Sequence, residues 1–271
     1  MAAEITRVFD LLRHNQQNPK QEFINGKING KWVNYSTEEF CATVDHLSRG
    51  LIKHGIQKGG RVAVMSHNRP EWNIADFAAN QIGAYQIPLY PTLAEHDIQF
   101  ILKDAEISII FVSDLDLYKK IKPCVDTINP AIKIFSFSDI EGVTCWETLI
   151  EDGKSSQDIN LDDYRSKVEP EDILTLIYTS GTTGTPKGVM LTHDNLVANF
   201  VNSSVVMPDG VNKSLSFLPL SHIFERMIIY LYLFNKTSIY YAESMDTIVA
   251  DIQHVKPNAF STVPRLLEKV Y

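Results

Sequence analysis

Cysteine is scarce: the 271 residues hold three, Cys41, Cys124 and Cys145, far apart and without C-x-x-C spacing. That odd, scattered set gives no basis for a disulfide framework or a cysteine zinc site, and the expectation is a reducing, cytoplasmic compartment. Basic charge is also short. The chain has 25 Lys+Arg against 33 Asp+Glu, a formal net charge of −8 with histidines neutral. A general nucleic-acid binder needs a basic field to meet phosphate, so that class is excluded. The N-terminal stretch MAAEITRVFDLLRHNQ has no basic start followed by an apolar run, so no secretion signal is expected. The most apolar run, Met227 to Phe234, is much too short to cross a bilayer. Neither an H-E-x-x-H motif nor clustered metal-ligand spacing is present. Internal repeats, heptad runs and low-complexity tracts are missing as well.

What remains is a core-forming chain, 44% hydrophobic and 21% charged. The stretch from Gly26 to Gly30 reads as a turn, followed by a short strand, Lys31 to Tyr35. Ser36-Thr-Glu-Glu39 is a capping box, and Phe40, Val44, Leu47 and Leu51 form one apolar face of the helix it opens. Gly55 closes that helix, and His46 and His54 are expected on its solvent side. Apolar strands and amphipathic helices then alternate: strand 61–66, helix 71–82, strand 85–89, helix 95–105, strand 107–112, helix 115–128 and strand 132–137. This pattern indicates an α/β fold with mainly parallel sheets covered on both faces. The stretch from Glu151 to Asp172 holds eight acidic and three basic residues. Residues 153–170 therefore read as an acidic surface linker between a first sheet region, about 61–170, and a second, 171–271. Beyond it come strand 173–178, a loop, helix 195–205, strand 214–218, the apolar run 227–234, strand 239–241 and helix 247–255. Trp32, Trp72 and Trp146 are expected to pack the core.

The informative segment is the loop after Ile173–Tyr178. Five of the seven residues from Thr179 to Thr185 carry hydroxyls, Gly181, Gly184 and Gly188 punctuate the stretch, and Lys187 stands near its end. Small residues let backbone approach a ligand closely, while hydroxyls, N–H groups and a lysine suit phosphate oxygens. The loop is not a Walker motif, since Pro186 precedes Lys187 and Gly188 follows it. It is not a G-x-G-x-x-G dinucleotide fingerprint either.

The ordered string Tyr178-Thr-Ser-Gly-Thr-Thr-Gly-Thr-Pro-Lys-Gly188 resembles the phosphate loop of adenylate-forming enzymes, and the flanking Val189-Met-Leu-Thr-His193 fits too. Three further stretches resemble the long-chain fatty acyl-CoA synthetases within that superfamily. They are Ser216-Phe-Leu-Pro-Leu-Ser-His-Ile-Phe-Glu-Arg226, the "PLYPT" segment ending Gly83 to Thr92, and Val263-Pro-Arg-Leu-Leu-Glu-Lys-Val-Tyr271. Asn68-Arg-Pro-Glu-Trp72 extends the likeness, which runs through most of the chain.

The resemblance implies a layered α-β-α-β-α large domain and a two-step reaction. ATP adenylates a fatty acid, releasing pyrophosphate, and coenzyme A then displaces AMP. It implies that Thr179, Ser180, Gly181, Thr182, Thr183 and Gly184 cradle the β- and γ-phosphates and that Lys187 pairs with the leaving pyrophosphate. His222 falls where the family places an aromatic or histidine beside the acyl and α-phosphate sites. Glu225 and Arg226 carry no assigned role, and His193 is read as opening the helix after the loop. Mg²⁺ is expected with ATP; Thr182 or Thr183 is a candidate contact, and the main ligand is expected beyond Tyr271. The family's "YGxTE" segment, ribose aspartate, hinge and C-terminal lysine domain are absent, so the chain is expected to be an N-terminal portion with little or no ligase activity alone. An acyl-carrier-protein or amino-acid adenylating ligase stays open as an alternative, as does a noncatalytic dimerising or binding fragment. A homodimer and a peripheral membrane contact are further expectations of the resemblance.

Overall fold

A computed structural model describes residues 5–28, 30–179 and 186–264. In its first half the elements are α1 (Asp10–Gln16), β1 (Ile24–Ile28), β2 (Lys31–Tyr35), α2 (Thr37–Lys53), β3 (Arg61–Met65), α3 (Pro70–Asn80), β4 (Tyr85–Leu89), α4 (Glu95–Asp104), β5 (Ile109–Val112) and α5 (Leu115–Ile128). There follow β6 (Lys133–Ser136), α6 (Glu147–Lys154), α7 (Leu161–Arg165), β7 (Ile173–Thr179), β8 (Lys187–Thr192) and α8 (His193–Ser204). The last are β9 (Lys213–Ser216), α9 (Ile223–Phe234), β10 (Ser238–Tyr241), α10 (Ile248–Val255) and β11 (Ala259–Phe260).

Two sheets form, in the orders β6-β5-β3-β4-β7-β8 and β11-β9-β10-β1-β2. Neighbours are parallel except for the antiparallel pairs β7/β8 and β1/β2. Because strand side chains alternate between faces, β3 and β5 divide their apolar residues between two cores. Val62, Val64, Ile109 and Phe111 point into the large core shared with the second sheet. Ala63, Met65, Ile110 and Val112 meet the apolar faces of α4 and α5. On the second sheet Ile239 and Tyr241 join the shared core, whereas Tyr240 faces Val255 of α10. The result is the expected α-β-α-β-α layering, with α3 and α9 between the sheets. Every residue of α3 is buried, as a helix enclosed on all sides requires.

Local signals explain most elements. Ser36 and Glu39 make the capping box, and Phe40, Val44, Leu47 and Leu51 are wholly buried. All three cysteines are free, and burial pushes the Cys41 thiol up to about 12. Residues 153–170 are not the simple surface linker that their charge suggests. Gly153 is buried in α6, so close to α2 that a Cβ there would lie 1.8 Å from the His46 carbonyl oxygen. Leu161 and Val168 also turn inward. With Ser156 that makes four buried residues, and four among many charged ones leave little trace in composition. Helix α6 likewise covers the side of α2 expected to face solvent: His46 and His54 are half-buried, and His54 Nε2 pairs with Asp152 at 2.9 Å.

Three strands escape the pattern, the two-residue β11 among them. Asn25-Gly26 lies in β1, where Gly26 is required because a Cβ would stand 2.5 Å from Pro70 Cδ. Lys187–Thr192 forms β8, read from sequence as loop because its side chains are largely exposed. The sheet boundary also differs from a division near residue 170. Strands β7 and β8 complete the first sheet, and β1 and β2 belong to the second. Trp72 and Trp146 are core residues, but Trp32 is half-buried, stacked on His254 at 5.7 Å.

Between the sheets lies a fully buried ion pair. Arg226 of α9 bonds Asp76 of α3, Tyr230 at 2.8 Å and Thr175 of β7 at 2.8 Å. Asn80 donates to Asp76 at 2.7 Å, and the Arg226 guanidinium lies 5.3 Å from the Trp72 ring centroid. Burial alone would pull the guanidinium down, but Asp76 and Tyr230 hold it above its ordinary value. Removing one partner strands a buried charge. Asp76→Ala is expected to cost about 3–5 kcal/mol, read as a lowered urea midpoint at unchanged slope.

Candidate functional site

In parallel α/β sheets, ligands gather at the carboxyl ends of the strands. Strands β4 and β7 are parallel neighbours, paired at Gln86 and Thr175. Their ends, Leu89 and Thr179, therefore lie on one edge of the first sheet. Thr179 is exposed there and paired in antiparallel register with Lys187, the exposed first residue of β8. The glycine-rich stretch thus closes a hairpin whose two mouth residues are both candidates. Ser180, Gly181, Thr182, Thr183 and Gly184 lie outside the described residues. Tyr178, just before the mouth, donates to Asp104 at 2.6 Å.

His222 reaches the same edge from the second sheet. The turn after β9 carries Ser221, whose Oγ donates to the Leu89 carbonyl at 3.2 Å. His222 N–H donates to the Pro219 carbonyl at 2.9 Å, and His222 is the N-cap of α9. Its Nδ1 accepts the Phe224 N–H at 3.1 Å, which places the ring proton on Nε2. The exposed imidazole therefore offers an N–H donor at the N-terminal, positive end of a 12-residue helix. Asn68 ties this turn to the first sheet, bonding Leu218 O and Leu220 N–H. Three of the stretches singled out in the sequence, around Asn68, Leu89 and His222, thus meet at one place. The fourth lies outside the described residues from Arg265 onward.

Neighbouring candidates have structural work. Arg69 bonds Glu71 at 2.7 Å and the Ser113 carbonyl, fixing the start of α3. His193 does open α8, yet it is buried and its Nδ1 accepts the Val8 N–H at 3.2 Å. Burial lowers its pKa to about 3, so it stays neutral. Glu225 and Arg226 do not pair with each other. Arg226 joins the buried network, and Glu225 accepts from Ser216 at 2.6 Å and Ser261 at 2.5 Å. The Asn68 clamp escaped the sequence reading, which named Asn68 only as the start of the Asn68–Trp72 stretch, two residues before the helix-opening Pro70. Among the described residues no group of three or more His, Cys, Asp or Glu is placed to hold a metal ion.

Comparison with known proteins defines the class. The AMP-binding enzyme family model matches residues 11–271, and the chain belongs to that family. Among its relatives, the peroxisomal long chain acyl-CoA synthetase 6 of Arabidopsis thaliana is 33% identical over 256 residues, covering 89% of this chain and 35% of the relative. The long-chain-fatty-acid–CoA ligase FadD15 of Mycobacterium bovis is 30% identical over 267 residues, covering 96% of this chain and 44% of its own. The chain thus spans less than half the length of these relatives. A red-emitting luciferase from Phrixothrix hirtus shares the fold, with a TM-score of 0.80 at 20% identity over 97% of this chain and 50% of that one.

Glu225 sets a pH signature for this region. Burial raises its pKa to about 7, despite the two serine hydrogen bonds, which favour the ionised form. A carboxyl held above its unfolded value near 4.5 contributes most stability at low pH and loses that contribution as pH rises toward about 7. Glu225→Gln is expected to remove this fall between pH 4.5 and 7, shown by comparing denaturation midpoints of the two proteins across that range.

Proposed function

We propose that the chain supplies the phosphate loop and acyl-side histidine of an ATP-dependent long-chain fatty acid–CoA ligase. The observation that carries this reading is the Thr179–Lys187 hairpin mouth beside the strand end on which the His222 turn is seated. A carboxylate is a poor acyl donor because its leaving group would be oxide. In the proposed reaction the carboxylate oxygen bonds to the α-phosphorus of ATP while the bond to the bridging oxygen breaks and pyrophosphate leaves. The coenzyme A thiolate then attacks the acyl carbon and AMP departs.

Each residue has a defined task in this scheme. Thr179 and residues 180–184 surround the β- and γ-phosphates with hydroxyl and N–H donors, and Lys187 meets the charge that grows on the leaving pyrophosphate. His222 gives its Nε2–H to oxygen bearing charge at the carboxylate or α-phosphate. The work is positioning and charge neutralisation rather than covalent catalysis. Mg²⁺ accompanies ATP in this reading, and among the described residues no group of three or more His, Cys, Asp or Glu stands ready to hold it. A cytoplasmic enzyme with peripheral membrane contact completes the proposal; among the described residues no helix is long and apolar enough to cross a membrane.

The deciding experiment combines triphosphate binding with exchange of labelled pyrophosphate into ATP across fatty acids of different length. Exchange that requires a long-chain acid supports the ligase reading in full. Binding without exchange limits these residues to the phosphate site, and a folded chain that shows neither overturns the reading. Lys187→Ala is expected to weaken ATP or tripolyphosphate binding by about 10- to 100-fold, as loss of a charge-assisted contact implies. Because Lys187 is exposed, its thermal midpoint should stay close to that of the parent chain.

A further inference from the structure

The strip from Leu218 to Ser221 crosses from the second sheet to the edge of the first, where one asparagine clamps two of its peptides. Asn68 Nδ2 donates to the Leu218 carbonyl at 2.6 Å, and its Oδ1 accepts the Leu220 N–H at 3.0 Å. The two bonds flank Pro219, which has no N–H of its own to anchor. A primary amide carries donor and acceptor on one planar group, so a single asparagine can hold both peptides. Asn68 is itself firmly based. It lies between β3 and α3, and the next residue, Arg69, bonds the Ser113 carbonyl and Ser138 Oγ. Pro70 follows, seated against Gly26.

We propose that Asn68 is a positioning residue for His222. The proposal rests on the role given to His222 above, and Asn68 acts only through the main chain it clamps. His222 N–H bonds to the Pro219 carbonyl, so the imidazole stands one tight turn beyond the held peptides. The fold does not depend on the clamp alone. Leu220 is buried and Ser221 bonds Leu89, so the strip keeps two other anchors. Asn68 is only half-buried, which lets water replace its bonds when the side chain is removed. What the clamp adds is the lateral placement of the turn, and with it the place of the His222 donor at the end of β4.

Amide hydrogen exchange and imidazole NMR on the 271-residue chain test this directly. In Asn68→Ala the Leu220 amide is expected to exchange on the order of tenfold faster, with protection in β3 and β4 retained. The His222 ring resonances should move, while those of His193 and His14 stay in place. Asn68→Asp keeps an acceptor for the Leu220 N–H but no donor for the Leu218 carbonyl, so Leu220 protection should survive there. That second variant also serves if Asn68→Ala does not fold. Unmoved His222 resonances in Asn68→Ala would overturn the proposal, as would equal Leu220 exchange in the parent and Asn68→Ala. A uniform loss of protection through β3 and β4 would mark a purely structural role and overturn it too. None of these readouts needs nucleotide, so they succeed or fail separately from triphosphate binding in Lys187→Ala.

Discussion

The rest of the molecule is arranged around the buried pairing of Arg226 with Asp76. A guanidinium removed from water must have its donors met by protein, and here α3, α9 and β7 each supply part of the answer. Those three elements therefore cannot drift apart without exposing an unpaired charge in the core. Both candidate groups depend on it at one remove. His222 precedes Arg226 by one helical turn, and Thr179 follows Thr175 by four residues along β7. The bond from Arg226 to Thr175 thus fixes how the histidine turn of one sheet stands against strand β7 of the other.

The layered core follows from the same economy of space. Strands β3 and β5 feed two cores at once, which is why they read as unbroken apolar runs. Helix α3 is enclosed on all sides and so must bury Glu71, Asn73, Asp76 and Asn80. Arg69 meets Glu71, Arg226 and Asn80 meet Asp76, and Tyr241 bonds Asn73 Oδ1, whereas Asn73 Nδ2 and Asn80 Oδ1 are buried without a hydrogen-bond partner. The polar residues of that helix are part of the interior architecture, and amphipathicity is a poor guide to which way they point.

This separates what the sequence made legible from what it hid. The capping box at Ser36, the strands at 61–66 and 85–89, the α/β class and the AMP-binding family all rest on local pattern or ordered spelling. Local pattern could not reveal that Arg226 seeks Asp76, 150 residues away. Nor could it show that Asn68 reaches Leu218, because a single asparagine carries no periodicity. Strand β8 was missed for a different reason: an edge strand with exposed Val189 and Met190 shows no burial alternation. The inward turn of Gly153, Leu161 and Val168 was masked by surrounding acid.

The β7/β8 hairpin has a consequence for how this region tolerates change. Among the described residues strand β8 pairs only with β7, and side-chain direction along it alternates with every residue. Adding or removing residues within the loop leaves the paired register free to stand, with Lys187 still opposite Thr179. One residue gained between Lys187 and Thr192 forces a choice: slip the pairing and turn the lysine to the other face, or absorb the extra residue in a bulge. The pairing already has such an irregularity on the β7 side, between Ile173 and Thr175, at the end far from the lysine. Length variation is therefore cheap in the crown of the hairpin and costly in its arm, and the side of the sheet on which the cation stands is a matter of parity.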